Sequence, residues 1–138
     1  MATLAELARR YGILDEERIT HLQGLTGSWG LLAHLSFADL ALYAPTTVGT
    51  GAPMVLLGHV RPTTGATLYR ADLVGQVYEP ERRPTLVEAL DTLRIVSGVV
   101  PVGPDRHINL MAIPVSYQGE AIAVVGRERT GLTDRPRS

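Results

Sequence analysis

Apolar residues recur along the first part of the chain at steps of three and four, and from about residue 37 at steps of two, so helices should precede strands. Thr3 and Glu6 stand at capping-box spacing, Leu4 and Leu7 share a face, and Gly12 is a natural stop, which predicts a short first helix. Asp15 can cap a second helix, in which Ile19, Leu22, Leu25, Trp29 and Leu32 form one stripe reaching about Leu35. Gly24, Gly27 and Gly30 lie within that stretch. Each costs up to about 1 kcal/mol relative to alanine, a loss that close packing against another backbone would offset; a break near Gly27 is the alternative.

In SFADLALYA, Ala38, Leu40 and Leu42 alternate with Phe37, Asp39, Ala41 and Tyr43, the pattern of a strand. The TTVGTGAP loop turns the chain; its GTG opens no helix and is therefore no dinucleotide fingerprint. PMVLLGHVRP reads as a second strand, with His59 and Arg61 on the face of Val55 and Leu57. Residues 62–84 are mixed, with a short strand at 67–70 and turn or irregular backbone around Gly75. Thr85 and Glu88 repeat the capping-box spacing ahead of a helix over 86–92, and a strand or loop follows at 95–100. INLMAIPVSY and EAIAVVGRERT are strands joined by a tight turn at Gln118 and Gly119. Ile122 and Val124 should face one way and Ala121, Ala123 and Val125 the other, so helices should cover both sides of an antiparallel sheet.

With 138 residues, 45% of them hydrophobic, the chain can bury one core. A single domain over residues 1–130 is expected, with 131–138, GLTDRPRS, as a polar linker to further protein. Acidic and basic residues nearly cancel, 14 against 13, which disfavours nucleic acid and membrane surfaces as partners. All 13 basic residues are arginine, a bias that a GC-rich genome explains as readily as a need for bidentate donors. Cysteine is absent, which removes disulfides, thiolate metal sites and thiol nucleophiles, and with them an enzyme such as a methionine sulfoxide reductase. No run approaches the roughly 18 apolar residues of a membrane span and no signal core is visible, so a cytoplasmic domain is expected.

The segments GSWGLLAHLSFADLALY, RPTTGATLYRADLVG and MAIPVSYQGEAIAVVGRERT resemble the N-terminal GAF domain of PdtaS-type actinobacterial sensor histidine kinases over nearly the whole chain. The most distinctive piece is Leu35-Ser36-Phe37-Ala38-Asp39. Arg61-Pro62 with Thr64 and Thr67 follows, then Ala71-Asp72 with Val74-Gly75. The resemblance implies an α+β (α/β sandwich) fold of GAF type: a central antiparallel sheet of about five to six strands, the closing hairpin at its centre, and helices on both faces. It also implies a sensory input role in a two-component system. In that family a PAS domain and a histidine kinase region follow, and the kinase phosphorylates a response regulator, often an RNA-binding antiterminator. At residues 107–110 arginines are commoner in the family than here.

No catalytic or metal site emerges from the residues. His21 and His34 would lie about 20 Å apart on one helix and cannot share an ion; His59 and His107 are the candidates for an axial haem ligand. His34, Ser36 and Asp39 carry the letters of a triad without its geometry. Asp39 reads as a cap or a partner of backbone groups; a buried Asp39 could instead pair with Arg61. GAF domains hold small molecules and cyclic nucleotides between the sheet and the mid-chain helix, where Arg61, Tyr69, Arg70, Asp72, Tyr78 and Arg94 are the candidate binding residues: arginine to pair phosphate, tyrosine to stack a base. An ordinary polar rim is the competing reading. Arg82-Arg83, ahead of the 86–92 helix, is a weaker phosphate candidate, a solvated loop its alternative. A homodimer through the N-terminal helices is expected, and a ligand-free dimerisation module is the rival to a sensor.

Overall fold

The computed structural model describes residues 3–27, 39–60, 74–103 and 106–130. Its elements are α1 (Leu4–Tyr11), α2 (Glu16–Thr26), β1 (Asp39–Pro45), β2 (Met54–Val60), β3 (Val77–Tyr78), a 3-10 turn (Pro80–Arg82), α3 (Pro84–Thr92), β4 (Val96–Gly103), β5 (Arg106–Tyr117) and β6 (Glu120–Thr130). The first capping box forms: Glu6 N–H donates to Thr3 Oγ1 at 3.1 Å and Thr3 N–H to Glu6 Oε1 at 2.9 Å. Gly12 closes α1 in the left-handed region. Asp15 caps α2 by accepting from Arg18 N–H at 2.9 Å.

The strands form one antiparallel sheet of order β3-β2-β1-β6-β5-β4, so β6 of the closing hairpin sits beside β1 at the centre. The hairpin turn places both Gln118 (φ 55) and Gly119 (φ 83) at positive φ, the geometry that matches strand twist. The apolar stripes of α1 and α2, Ala5, Leu7, Ala8, Ile19 and Leu22, cover one face of the sheet against Leu40, Leu42, Val55 and Leu57. On the opposite face Leu86 and Ala89 of α3 pack against Ala41, Tyr43, Met54, Leu110, Ala112 and Val124. Helices on both faces of a six-stranded antiparallel sheet are the architecture the sequence implied.

Two bulges correct the strict alternation read from the sequence. The β1–β2 register jumps from Leu42 opposite Gly58 to Tyr43 opposite Leu56, leaving Leu57 as the extra residue. That slip turns His59 away from the face of Val55 and Leu57 and onto the α3 face, opposite Ala41. Likewise β5–β6 jumps between Val115 and Ser116, leaving Ile122 extra. Ile122 and Ala123 therefore both join the α1–α2 core, while Val124 joins the α3 core, so Ile122 and Val124 do not share a face.

One local expectation changes, and others fall wholly or partly outside the described residues. The described part of α2 ends at Gly27, its C-cap, and Trp29, Gly30 and Leu32 lie outside the described residues. Gly24 is exposed, and among the described residues nothing lies within 4 Å of a Cβ placed there, so no described backbone packs closely against it. The second capping box does not form: α3 begins at Pro84, whose fixed φ suits the first helical turn, and Arg83 takes the N-cap position. Thr85 is inside the helix, its hydroxyl 3.0 Å from where a Cβ on Gly98 would be. The short strand expected at 67–70 lies outside the described residues.

Candidate functional site

The α3 face of the sheet carries a buried polar array. Asp39 opens β1 and Glu128 lies near the end of β6, and the register sets them directly opposite one another. Cross-strand partners have Cβ atoms about 4.5–5.5 Å apart, and like charges so placed repel. Both residues are nevertheless buried, Asp39 at 1% exposure and Glu128 at 0%. Each carboxylate is met by a different neighbour. Tyr43 O–H donates to Glu128 Oε2 at 2.8 Å, and His59 Nε2 lies 3.0 Å from Asp39 Oδ2. A carboxylate only accepts, so the hydrogen is on the imidazole nitrogen. The His59 side chain is 2% exposed, so a buried hydrogen bond closes this end of the array.

Aromatic contacts continue the line toward α3. The Tyr43 and Tyr78 rings meet edge to face at 5.9 Å, and the Arg83 guanidinium lies 4.8 Å from the Tyr78 ring centre. Burial raises the Tyr78 phenol above its ordinary pKa, Arg83 works against that shift, and Glu128 adds to it. Gly126 makes the close approach possible. A Cβ there would stand 3.0 Å from Glu128 Oε2, 3.1 Å from Leu110 Cδ1 and 3.2 Å from Tyr43 Cε1.

Of the residues expected to bind a ligand, Tyr78 is in the array; Arg61, Tyr69, Arg70 and Asp72 lie outside the described residues. Arg94 is exposed at the turn between α3 and β4, away from Tyr78 on β3 at the other end of the strand order. Asp39 is buried and His59 bonds it; Arg61, the partner considered for a buried Asp39, lies outside the described residues. Arg83 is no solvated loop residue: it is buried, stacked on Tyr78, and its Nη1 donates to Arg82 O at 3.0 Å.

Sequence reasoning missed Glu128, Tyr43 and Gly126. The available signal was a glycine and a charged residue continuing the alternation from buried Val124. His107 is exposed, so it offers no enclosed haem ligand. Among the described residues no three His, Asp or Glu side chains converge on a metal position, and no helix is long and apolar enough to cross a membrane.

A separate open cleft of about 400 Å³ lies at the other end of β1, lined by Leu14, Arg18, Pro45, Val48, Asp91 and Ile122. Arg18 bridges Asp15 at 2.7 Å and Glu120 at 3.0 Å there, tying α2 to the hairpin. The described helices turn their apolar side chains inward and present Glu6, Arg9, Glu16, Glu17 and Thr20 outward. The part of the apolar stripe that would serve a helix-mediated dimer, Trp29 to about Leu35, falls outside the described residues.

The family model for the GAF domain of histidine kinase PdtaS matches residues 4–138. The sensor histidine kinase PdtaS of Mycolicibacterium smegmatis is 30% identical over 139 residues, covering 98% of this chain and 27% of that protein. PdtaS of Mycobacterium tuberculosis strain H37Rv is 31% identical over 149 residues, covering all of this chain and 28% of the relative. The chain thus spans about a quarter of the length of these curated relatives. A solved structure, the sensor region of a sensor histidine kinase, superposes with a TM-score of 0.72 at 27% identity, covering all of this chain and 46% of that one.

Proposed function

We propose, because the chain belongs to the family of GAF domains of the histidine kinase PdtaS, that it is the sensory input domain of a two-component histidine kinase and binds its signal on the α3 face of the sheet. The residues after 130 would lead to PAS and kinase regions, and the kinase would pass phosphate to a response regulator in the cytoplasm. A ligand changes the output only if it binds the two kinase-competent packings unequally.

The observation that carries the reading is the Asp39 and Glu128 pair. They stand directly opposite one another across an antiparallel rung, both buried, and buried polar clusters of this kind concentrate at functional sites. A ligand reaching that end would have to present N–H donors or positive charge, as a nucleobase edge does; the Tyr78 ring already packs against Tyr43 and Arg83. Phosphate would be repelled there and would need the arginine side of the face.

The test is a thermal-shift screen of the chain against cyclic mono- and dinucleotides, haem and divalent metal ions, run beside Glu128→Gln. A ligand at about 100 times its Kd adds about 2.7 kcal/mol to the folded state, a readily measured rise in Tm. The amide oxygen can still accept from Tyr43, so the variant should fold normally and lose the shift. The second reading, a ligand-free dimerisation module, draws on the way Tyr43 and His59 already satisfy the array from within. No shift with any probe would favour it.

A further inference from the structure

The two edges of the sheet are built differently. β3 is two residues long, and shortness is one way natural proteins protect an edge. β4 runs for eight residues and pairs only with β5 among the described residues. From Ile95 to Pro104 the sequence, IVSGVVPVGP, holds no ionisable side chain, and the register break lies at its far end, between Pro101 and Gly103. Three of the five large hydrophobic residues exposed among the described residues gather here: Leu93 at 45%, Ile95 at 62% and Val99 at 61%. Val96 and Val100 pack toward α3, so Ile95, Ser97 and Val99 form the opposite, uncovered row.

We propose that the β4 edge pairs antiparallel with β4 of a second copy of this chain, about a two-fold axis at Ser97. An isologous contact sets each patch against itself, so a patch bearing charge of one sign meets its like; the stretch from Ile95 to Pro104 carries no charge. Pairing about Ser97 sets Ile95 against Val99 of the partner copy and Val99 against the partner's Ile95, which covers both exposed side chains at once. The edge N–H and C=O groups of two strands then satisfy each other, and two six-stranded sheets become continuous. Cross-strand apolar pairs of this kind are the unit of sheet stabilisation. The inference does not depend on the ligand site.

The absence of cysteine from the chain makes the test direct. Ser97→Cys and Thr20→Cys, on β4 and on the outer face of α2, place single thiols at exposed positions. Under mild oxidation Ser97→Cys should give a disulfide-linked dimer in high yield at protein concentrations where Thr20→Cys stays monomeric. In sedimentation experiments the unmodified chain should show a monomer–dimer equilibrium. Val99→Lys should raise its Kd at least about tenfold, with an unchanged Tm at concentrations where both chains are monomeric, and Ile95→Glu with Val99→Lys should restore association through two reciprocal ion pairs.

A chain that stays monomeric to about 1 mM, a dimer indifferent to Val99→Lys, or preferential crosslinking of Thr20→Cys would overturn the proposal. The last would place the contact on the N-terminal helices. A double variant no better than Val99→Lys alone would overturn the register, and the proposal with it.

Discussion

Gly126→Ala probes the floor of the array with a single methyl group. The new Cβ would meet Glu128 Oε2 at 3.0 Å, Leu110 Cδ1 at 3.1 Å and Tyr43 Cε1 at 3.2 Å, all closer than ordinary contact. Two of the three are held in place. Glu128 Oε2 is held by the Tyr43 hydroxyl at 2.8 Å, and the Tyr43 ring is fully buried against Tyr78. Overpacking a core typically costs about 1–3 kcal/mol, and losing a hydrogen bond to a charged group adds about 1.5–3 kcal/mol. The stiffer unfolded chain of the alanine variant returns about 0.4–1 kcal/mol. The expected net loss is about 1.5–5.5 kcal/mol, read as a lower urea midpoint at constant m-value. Tyr43→Phe should cost less by itself and should be strongly non-additive with Gly126→Ala, because both remove the same hydrogen bond. A Gly126→Ala protein within about 0.5 kcal/mol of the parent, or additive with Tyr43→Phe, would refute the close packing described here.

Tyr78→Phe should flatten the loss of stability at alkaline pH, followed by urea midpoints on either side of pH 10. The folded phenol is held above its ordinary pKa chiefly by burial, so the native state keeps a proton that the unfolded chain releases. Stability therefore falls as pH rises above about 10, the unfolded tyrosine value, and the phenylalanine variant lacks that contribution. Arg18→Ala should weaken the tie between α2 and the β5–β6 hairpin, since Arg18 joins Asp15 and Glu120 and lies 5.2 Å from the Tyr117 ring centre. The difference in Tm from the parent should shrink in about 1 M salt, where the Debye length is about 3 Å; an undiminished difference would assign the effect to packing.

The parts of the fold visible in the sequence are those fixed by neighbours in the chain. Thr3 with Glu6, Asp15 ahead of α2, and Gln118-Gly119 in the hairpin each act over three or four residues, and each forms as its spacing implies. Thr85 with Glu88 has the same spacing and fails because Pro84 claims the first helical turn. The array was less visible, because it depends on which way strands slip. A bulge at Leu57 sends His59 to the face of Asp39, and nothing within β2 itself announces the extra residue. Glu128 and Asp39 are 89 positions apart and meet only through the β1–β6 register. Tyr78 could be named as a binding candidate from residue type, but its neighbours, Tyr43 across the sheet and Arg83 at the start of α3, follow from tertiary packing.

The central claim is that the α3 face receives a signal. Hydrogen exchange with and without any cyclic nucleotide, haem or metal ion that raises the Tm tests it most directly. The account predicts slowed exchange in β1, the second half of β2, the end of β6 and α3, absent in Glu128→Gln. Protection confined to the cleft around Val48 and Arg18, or an exchange pattern that no probe alters, would contradict it.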